Sequence, residues 1–145
     1  MKNLKICLVD DDKDDRETFQ DAFNELNSDN VLMTFKNGLE AIDYLNAIED
    51  VPDIIFLDLN MPIMGGLETL REIRKNERYK LLSVVIYSTS SSEKDIEETL
   101  VAGANIYITK PTNYRVLKDM LTKVMKMNWQ YHTSELDKDT FVFAI

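Results

Sequence analysis

The chain has 145 residues, which is the size of one domain with a single hydrophobic core. Apolar residues make up 44% and charged residues 30%, the balance of an ordinary globular protein, which argues against wholesale disorder. The formal net charge is −9, from 26 acids against 17 bases, so the protein should repel nucleic acid phosphates and we expect no DNA or RNA binding.

The sequence also bears on the compartment. No segment has the apolar length that a signal peptide or a membrane span needs, and we expect no membrane association. The single cysteine, Cys7, cannot form an internal disulfide, and its place in an apolar run is typical of a buried thiol in a reducing compartment. We therefore expect a cytoplasmic protein.

Short apolar runs alternate with stretches of helical periodicity along the chain. Residues 4–9 form the first predicted strand, and the apolar residues after it recur at i, i+3, i+4 and i+7, one face of a helix. Ile54–Leu57 is apolar at every position, as a central strand covered on both faces should be. The other predicted strands are Val31–Phe35, residues 84–87 and Ile106–Thr109. The predicted apolar helix faces are, in chain order, Phe19, Ala22, Phe23 and Leu26; Leu39, Ile42, Leu45 and Ile48; Leu67, Leu70 and Ile73; Ile96, Leu100 and Val101; and Leu117, Met120, Leu121 and Val124.

These five β–α units predict an α/β fold, a parallel sheet with right-handed crossovers and helices on both faces. We assign them to one domain over residues 1–127, followed by a C-terminal extension over residues 128–145 that is too short for a second domain. The extension ends on five apolar residues, 141–145, which could cover a hydrophobic surface, join a partner or fray.

Polar side chains stand at the carboxyl ends of four of the predicted strands. Ligands of an open parallel sheet bind beyond these ends, so residues far apart in the sequence should meet at one edge. The first strand leads into Asp10, Asp11 and Asp12, the third into Asp58, the fourth into Ser88 and Thr89, and the fifth into Lys110 and Pro111.

Each motif alone also has a structural interpretation. The acidic run over residues 10–15 could cap the first helix, because carboxylates accept its free N–H groups and suit the positive end of its dipole. Asp58 could be a turn residue, and Ser90 and Glu93 have the spacing of a capping box. We interpret Asp12 and residues 90–92 in this structural way.

The coincidence of several acids with a lysine favours a shared site over separate structural roles. Carboxylates at one edge repel one another unless a cation is present. Mg²⁺ suits such a site, because it prefers oxygen ligands and is usually held by one or two carboxylates together with phosphate oxygens. Zinc is disfavoured, since no Cys or His stands among these motifs. A carboxylate, a divalent cation and a lysine are the parts needed to form an aspartyl phosphate.

From residue 4 to about 127 the chain resembles the receiver domains of bacterial two-component response regulators. The resemblance implies that family's flavodoxin-like fold, a five-stranded parallel sheet in the strand order 2-1-3-4-5. The matching motifs are Leu8-Val9-Asp10-Asp11-Asp12, Leu57-Asp58-Leu59-Asn60-Met61-Pro62 with Gly65-Gly66, Ser88-Thr89, Gly103-Ala104 and Tyr107-Ile108-Thr109-Lys110-Pro111.

The resemblance implies a role for each matching residue at the site. Asp58 would accept a phosphoryl group from the phosphohistidine of a sensor histidine kinase or phosphotransfer protein, and Lys110 would pair with the phosphoryl oxygens. Mg²⁺ would be held by the carboxylates of Asp11 and Asp58 and by the backbone carbonyl of Asn60, with Asp10 acting mostly through water.

A second pair of residues would form the switch of the family. The Ser88 hydroxyl would move to bond the phosphoryl group, and Tyr107 would turn inward, which changes the surface of the fourth and fifth helices and the fifth strand. The resemblance also implies a cis bond between Lys110 and Pro111. The chain departs from the family at Thr112, where an aromatic is common, and we assign no role to Trp129 or His132.

Three other classes of protein are weaker alternatives. A phosphohydrolase of the haloacid-dehalogenase type needs a second acid two residues after its nucleophile, where this chain has Asn60. A pseudo-receiver typically lacks an acid or the lysine, whereas this chain has all of them. A flavodoxin-like electron carrier would have a Ser/Thr/Gly-rich phosphate loop after the first strand, and no such loop follows the first strand here. We therefore expect a signalling protein rather than an enzyme.

We expect this protein to act by docking on a downstream protein target or as an intermediate of a phosphorelay. The stretch over residues 88–93 and the short tail resemble single-domain regulators, some of which partner with bacteriophytochromes. A homodimer formed through the last helix or the apolar tail is a further possibility that the sequence leaves open.

Overall fold

In a computed structural model, residues 3–26 and 28–127 are described, and they form five strands that alternate with five α-helices. The predicted extension over residues 128–145, with Trp129 and His132, lies outside these residues. The elements are β1 (Lys5–Val9), α1 (Lys13–Glu25), β2 (Val31–Phe35), α2 (Gly38–Ala47), β3 (Ile54–Leu57), α3 (Gly66–Lys75), β4 (Ser83–Ser88), α4 (Glu93–Ala102), β5 (Ile106–Thr109) and α5 (Tyr114–Met125), with a short 3-10 helix at Glu77–Tyr79 before β4.

The strands pair in parallel in the order β2-β1-β3-β4-β5, which confirms the predicted fold and topology. The pairing aligns Val9 with Leu57 and Ser88 with Thr109. The residues that follow β1, β3 and β5 therefore emerge at one edge of the sheet, as the sequence predicted.

The sheet separates two layers of hydrophobic core. Alternate residues of a strand face opposite sides, so Phe56 contributes to the core beneath α1 and α5, and Ile55 to the core beneath α2, α3 and α4. All four residues of β3 are buried, which confirms it as the predicted central strand.

The predicted helix faces hold for α1, α3 and α5, apart from the half-buried Leu26 and Leu67, whereas α2 and α4 differ in part. Leu39 of α2 is 44% exposed, and Val101 of α4 is 87% exposed. The buried residues of α2 are Gly38, Ala41 and Leu45. The first two precede the predicted Leu39 and Ile42 by one position, so the buried face is rotated relative to the prediction. The rotation has a packing cause, because the backbone of Gly38 approaches α3 so closely that a Cβ atom would overlap the side chain of Thr69.

The helix starts separate two of the structural interpretations. Asp12 is the N-cap of α1, and its carboxylate accepts the N–H of Asp15 at 3.0 Å, which confirms the predicted cap. The cap of α4 is Ser92 and not Ser90, since the Ser92 hydroxyl accepts the N–H of Asp95 at 3.1 Å. Among the described helices, none is both long enough and apolar enough to span a membrane.

Candidate functional site

The three carboxylates predicted to bind metal meet beyond β1 and β3. Asp10 is fully buried, Asp58 is 6% exposed, and Asp11 is exposed. One carboxylate oxygen of each lies within 4.8 Å of the others. Two Mg–O bonds of about 2.1 Å span at most about 4.2 Å, so small side-chain movements would let these oxygens share one ion. The donor set therefore fits a hard divalent cation.

Lys110 connects the acids across the sheet edge. Its Nζ atom lies 2.7 Å from Asp10 Oδ2, 2.8 Å from Asp15 Oδ2 and 3.5 Å from Asp58 Oδ2. The lysine side chain is only 9% exposed, and its Nζ atom stands 5.6 Å from the centre of the Tyr87 ring. A single ammonium group thus serves three carboxylates in a largely buried environment, where charge–charge interactions are stronger than in water.

The electrostatics of the site disfavour a charged Asp58. Burial raises the pKa of the Asp58 carboxyl to about 6; the ammonium of Lys110 opposes this shift, and the charge of Asp10 adds to it. Burial would lower the pKa of Lys110, but its bonds to Asp10 and Asp15 outweigh that effect and raise this pKa overall. Excess negative charge of this kind is relieved by a bound cation.

An open cavity of about 470 Å³ gives solvent access to these groups. Asn60, the fourth predicted metal ligand, lines the cavity together with Asp11, Asp58, Thr89 and Lys110. The Asp58 Oδ1 atom accepts the N–H of Leu59 at 2.8 Å, while Oδ2 is the oxygen nearest Lys110. A small phosphorylated molecule or an imidazole ring can therefore reach Asp58 from the solvent.

The turn from β3 into α3 sets the position of Asp58. The N–H of Gly66 donates to the carbonyl of Leu59 at 2.9 Å, which draws the start of α3 against the end of β3. A Cβ atom at residue 66 would lie 2.1 Å from the Asp58 carbonyl oxygen. Only glycine permits this approach.

The predicted switch residues lie next to one another beside this cavity. Ser88 is fully buried, and its hydroxyl accepts the N–H of Ser90 at 3.1 Å. Tyr107 is fully buried too, and its hydroxyl donates to the Ser90 carbonyl at 2.7 Å. Burial raises the pKa of Tyr107, against the effect of its hydrogen bonding with Ser90. The ring therefore already occupies the inward position that the sequence analysis assigned to the switched protein.

One implied feature of the site is wrong. No cis peptide bond occurs in the described part of the chain, so the bond between Lys110 and Pro111 is trans. The trans form is the lower in energy for an X–Pro bond, by about 0.5–1 kcal/mol. Lys110 reaches Asp10 from this backbone, with its own N–H bound to the Ser88 carbonyl at 2.8 Å.

Sequence analysis missed Asp15 as a member of the site. It belongs to the acidic run that could equally have capped the first helix, and its carboxylate contacts Lys110. Helical spacing could have indicated this role. Asp15 stands four residues before the buried Phe19 and so lies on the same face of α1, which packs against the sheet.

Comparison with known proteins agrees with this arrangement. The family model of the response regulator receiver domain matches residues 6–122. The chemotaxis protein CheY homolog of Campylobacter jejuni is 34% identical over 122 residues, 84% of this chain and 92% of that protein.

Two solved structures of response regulators are also similar to this chain. The phosphorylated cyanobacterial phytochrome response regulator RcpA has a TM-score of 0.79 at 36% identity, over 86% of this chain and 93% of RcpA. The Mn²⁺-bound response regulator Rcp1 has a TM-score of 0.75 at 29% identity, over 92% of this chain and 97% of Rcp1. The fold of the sheet, its acidic edge and the match to the family model all agree. The chain therefore belongs to the response regulator receiver domains of two-component phosphorelay signalling.

Proposed function

We propose that Asp58 is the phosphoryl acceptor of this receiver. The supporting observation is that a buried carboxylate at the end of the central strand opens onto a solvent cavity and faces the Lys110 ammonium 3.5 Å away. Asp10 is more deeply buried, and Asp11 lies further out toward the solvent. Neither combines protection from water with access to a donor as Asp58 does.

The transfer step follows from the groups around Asp58. An Asp58 carboxylate oxygen forms the new O–P bond while the P–N bond of a phosphohistidine breaks. The electron pair of that bond returns to the imidazole of the donor, which leaves as neutral histidine once it is protonated. Lys110 moves toward the phosphoryl oxygens and balances part of the charge, which is about −1.5 to −2 at neutral pH.

Mg²⁺ is the cofactor that the site would hold. Asp11 and Asp58 would bind it with the Asn60 carbonyl, and Asp10 would act through water. When bound, it would offset the charge of the phosphoryl oxygens, so that the phosphorus can approach the acceptor carboxylate. The close approach of the three carboxylates supports this assignment.

The output is a change in a partner-binding surface. A phosphoryl group on Asp58 would draw the Ser88 hydroxyl toward it, and the inward Tyr107 would be stabilised by the space that Ser88 vacates. The affected surface comprises α4, β5 and α5, and it would bind a downstream protein target. The protein would thus act as a signalling protein rather than an enzyme. We place it in the cytoplasm, because a free thiol such as that of Cys7 stays reduced there.

The donor is a histidine kinase or a histidine phosphotransfer protein. Similarity to the phytochrome response regulator RcpA supports a phytochrome-linked kinase as a candidate.

Dimerisation through α5 or the segment over residues 128–145 belongs to the same proposal. Light scattering of the full chain beside a chain truncated after Lys126 tests it, and identical monomeric masses would exclude the segment as a dimer element.

Phosphorylation by a small donor tests the assignment of Asp58. The protein is incubated with Mg²⁺ and acetyl phosphate, and its mobility is followed on a phosphate-affinity gel. The parent should shift, Asp58→Asn should not, and the control Asp29→Asn, an exposed acid between α1 and β2, should shift like the parent. An unshifted parent, or a shifted Asp58→Asn, would refute the proposal; steady phosphate release from phosphomonoesters would favour a hydrolase.

A further inference from the structure

Lys110 is bound by a carboxylate that none of the proposed roles employs. Asp15 Oδ2 lies 2.8 Å from Lys110 Nζ, as close as hydrogen-bonded ion pairs come. Asp15 comes from α1, whereas Asp10 and Asp58 follow strands of the sheet. The lysine is therefore held from the helix side as well as from the sheet side.

The distances show in which direction the ammonium is held. Nζ lies 2.7 Å from Asp10 and 2.8 Å from Asp15, but 3.5 Å from Asp58. An ammonium group has three N–H donors, and two of them are taken by short bonds to Asp10 and Asp15. The third donor faces Asp58 Oδ2, but at 3.5 Å the bond is weak. A phosphoryl group on Asp58 would draw the ammonium toward it, and this movement would lengthen at least one of the short bonds.

Exposure indicates which of the two bonds gives way. The side chain of Asp10 is fully buried, so without Lys110 it would be a buried carboxylate with an unpaired charge, which is costly. The side chain of Asp15 is 44% exposed, and water can replace the lysine there. The backbone of Asp15 is held by the cap, since its N–H donates to Asp12, so α1 keeps its position when the carboxylate is released.

We propose that Asp15 is a positioning residue that restrains Lys110 on the α1 side of the unphosphorylated site and releases it when a phosphoryl group occupies Asp58. This inference rests on the proposed function of Asp58 and Lys110. Its consequence is that Asp15 opposes the phosphorylated state, because Lys110 must leave one carboxylate to serve the phosphoryl oxygens. Removing the restraint should therefore favour that state.

Asp14 supplies a matched control for this role. Asp14 and Asp15 both stand in the first turn of α1, where a negative charge favours the helix dipole. Asp14 is exposed, and the bonds of Lys110 go to Asp10, Asp15 and Asp58. Asp14→Asn therefore removes the same charge from the same turn without removing a bond to Lys110.

The experiment measures the affinity of the full chain for beryllofluoride, a mimic of a phosphoryl group on a carboxylate. Titrations in saturating Mg²⁺ are followed by the amide NMR signals of residues 58–60 in the parent, Asp15→Asn, Asp14→Asn and Asp15→Glu. Asp15→Asn should reach half-saturation at a concentration lower than the parent by roughly threefold to fivefold, the upper part of the range expected for a partly exposed ion pair. Asp14→Asn and Asp15→Glu should stay within about twofold of the parent, since the glutamate keeps the charge.

Three results would overturn the positioning role or the proposed function, and an unchanged affinity of Asp15→Asn would overturn the positioning role as well. Equal shifts in Asp15→Asn and Asp14→Asn would assign the effect to general charge and overturn the positioning role. Weaker binding by Asp15→Asn would overturn it as well, because Asp15 would then assist the phosphorylated state. A parent that does not bind beryllofluoride at all would refute the proposed function itself, and the inference would fall with it, a result visible before any variant is compared.

Discussion

The folded structure disfavours the charged form of the Asp58 carboxyl. Its pKa in the folded protein is about 6, against an ordinary value of 3.8, with burial as the main cause. A carboxyl whose pKa is raised by folding favours the folded state while it is protonated. That contribution is fully present below about pH 4 and is lost as the pH rises through 6. The site therefore lowers the stability of the protein at neutral pH.

Replacing this carboxyl should stabilise the protein without metal. We expect Asp58→Asn to raise the free energy of unfolding at pH 7.5 by about 1–3 kcal/mol, since a difference of two pKa units corresponds to about 3 kcal/mol. The gain should shrink as the pH falls below 6 and vanish near pH 4. Urea unfolding in EDTA across this range measures it.

Magnesium and a surface variant control this result. Mg²⁺ should stabilise the parent more than Asp58→Asn and narrow the difference, because a ligand that binds the folded state stabilises it. The exposed Asp29→Asn should change stability little at any pH. A gain for Asp58→Asn that is independent of pH between 4 and 7.5 would contradict the electrostatic explanation.

At the scale of elements, the contact between the end of β3 and the start of α3 determines where Asp58 lies. We expect Gly66→Ala to lower the free energy of unfolding by about 1–3 kcal/mol, the usual cost of overpacking, because the new methyl group would lie 2.1 Å from the Asp58 carbonyl oxygen. Urea unfolding measures the loss, and phosphorylation from acetyl phosphate should slow as well.

The preceding glycine is the control for this substitution. A Cβ atom at Gly65 would lie 3.3 Å from the nearest atom, the carbonyl oxygen of Leu59, so Gly65→Ala should cost less than Gly66→Ala. Equal losses in the two variants would mean that helix propensity, and not the contact with Asp58, governs the effect.

A second junction joins α3 to the turn that follows α4. The Arg74 guanidinium donates to the carbonyls of Gly103 and Tyr79 and to the Asn105 side chain, at 2.8–3.0 Å. The buried Asn105 side-chain oxygen also accepts the N–H of Val84, at 2.7 Å. Arg74 thus links one helix to the starts of β4 and β5.

Loss of this guanidinium should remove three hydrogen bonds, although Asn105 Oδ1 keeps the N–H of Val84 and the Tyr79 carbonyl keeps the N–H of Leu82. We expect Arg74→Met to lower the free energy of unfolding by about 2–3 kcal/mol, because a hydrogen bond from a charged group contributes about 1.5–3 kcal/mol. The neighbouring Lys75→Met removes only an exposed pair with Glu72 and should change stability by less than about 0.5 kcal/mol. Chemical denaturation of both variants makes the comparison, and similar effects would argue against a special role for Arg74.

At the scale of the whole molecule, Cys7 reports on unfolding of the entire sheet. It lies in the middle of β1, is 1% exposed, and burial raises the pKa of its thiol to about 12. The reactive thiolate is therefore both rare and inaccessible. We expect a disulfide reagent at pH 8 to modify native protein only at the rate of global unfolding.

The denatured chain is the reference for this measurement. In urea above the unfolding midpoint, Cys7 should react at the rate of a free thiol. Native protein that reacts as fast as denatured protein would show that β1 opens locally, which the two-sided burial of the sheet does not allow.

Much of the whole molecule follows from patterns that are local in the sequence. Apolar runs of four to six residues located all five strands, and helical spacing located all five helices. The errors came where packing decides orientation: α2 turns because the Gly38 backbone approaches α3, and Val101 faces the solvent although its neighbours suggest a buried stripe. Periodicity indicates that a helix has an apolar face, but the neighbours determine which residues that face contains.

The acidic edge shows the same division. By itself the sequence determined that Asp10, Asp58 and Lys110 follow strands, and parallel pairing then required them to meet, because parallel strands end at a common edge. Only the tertiary structure decided that Asp15 shares the lysine, that Tyr107 already points inward, and that the bond before Pro111 is trans. These features depend on distances between side chains of different elements, and such distances arise only when the helices and the sheet pack together.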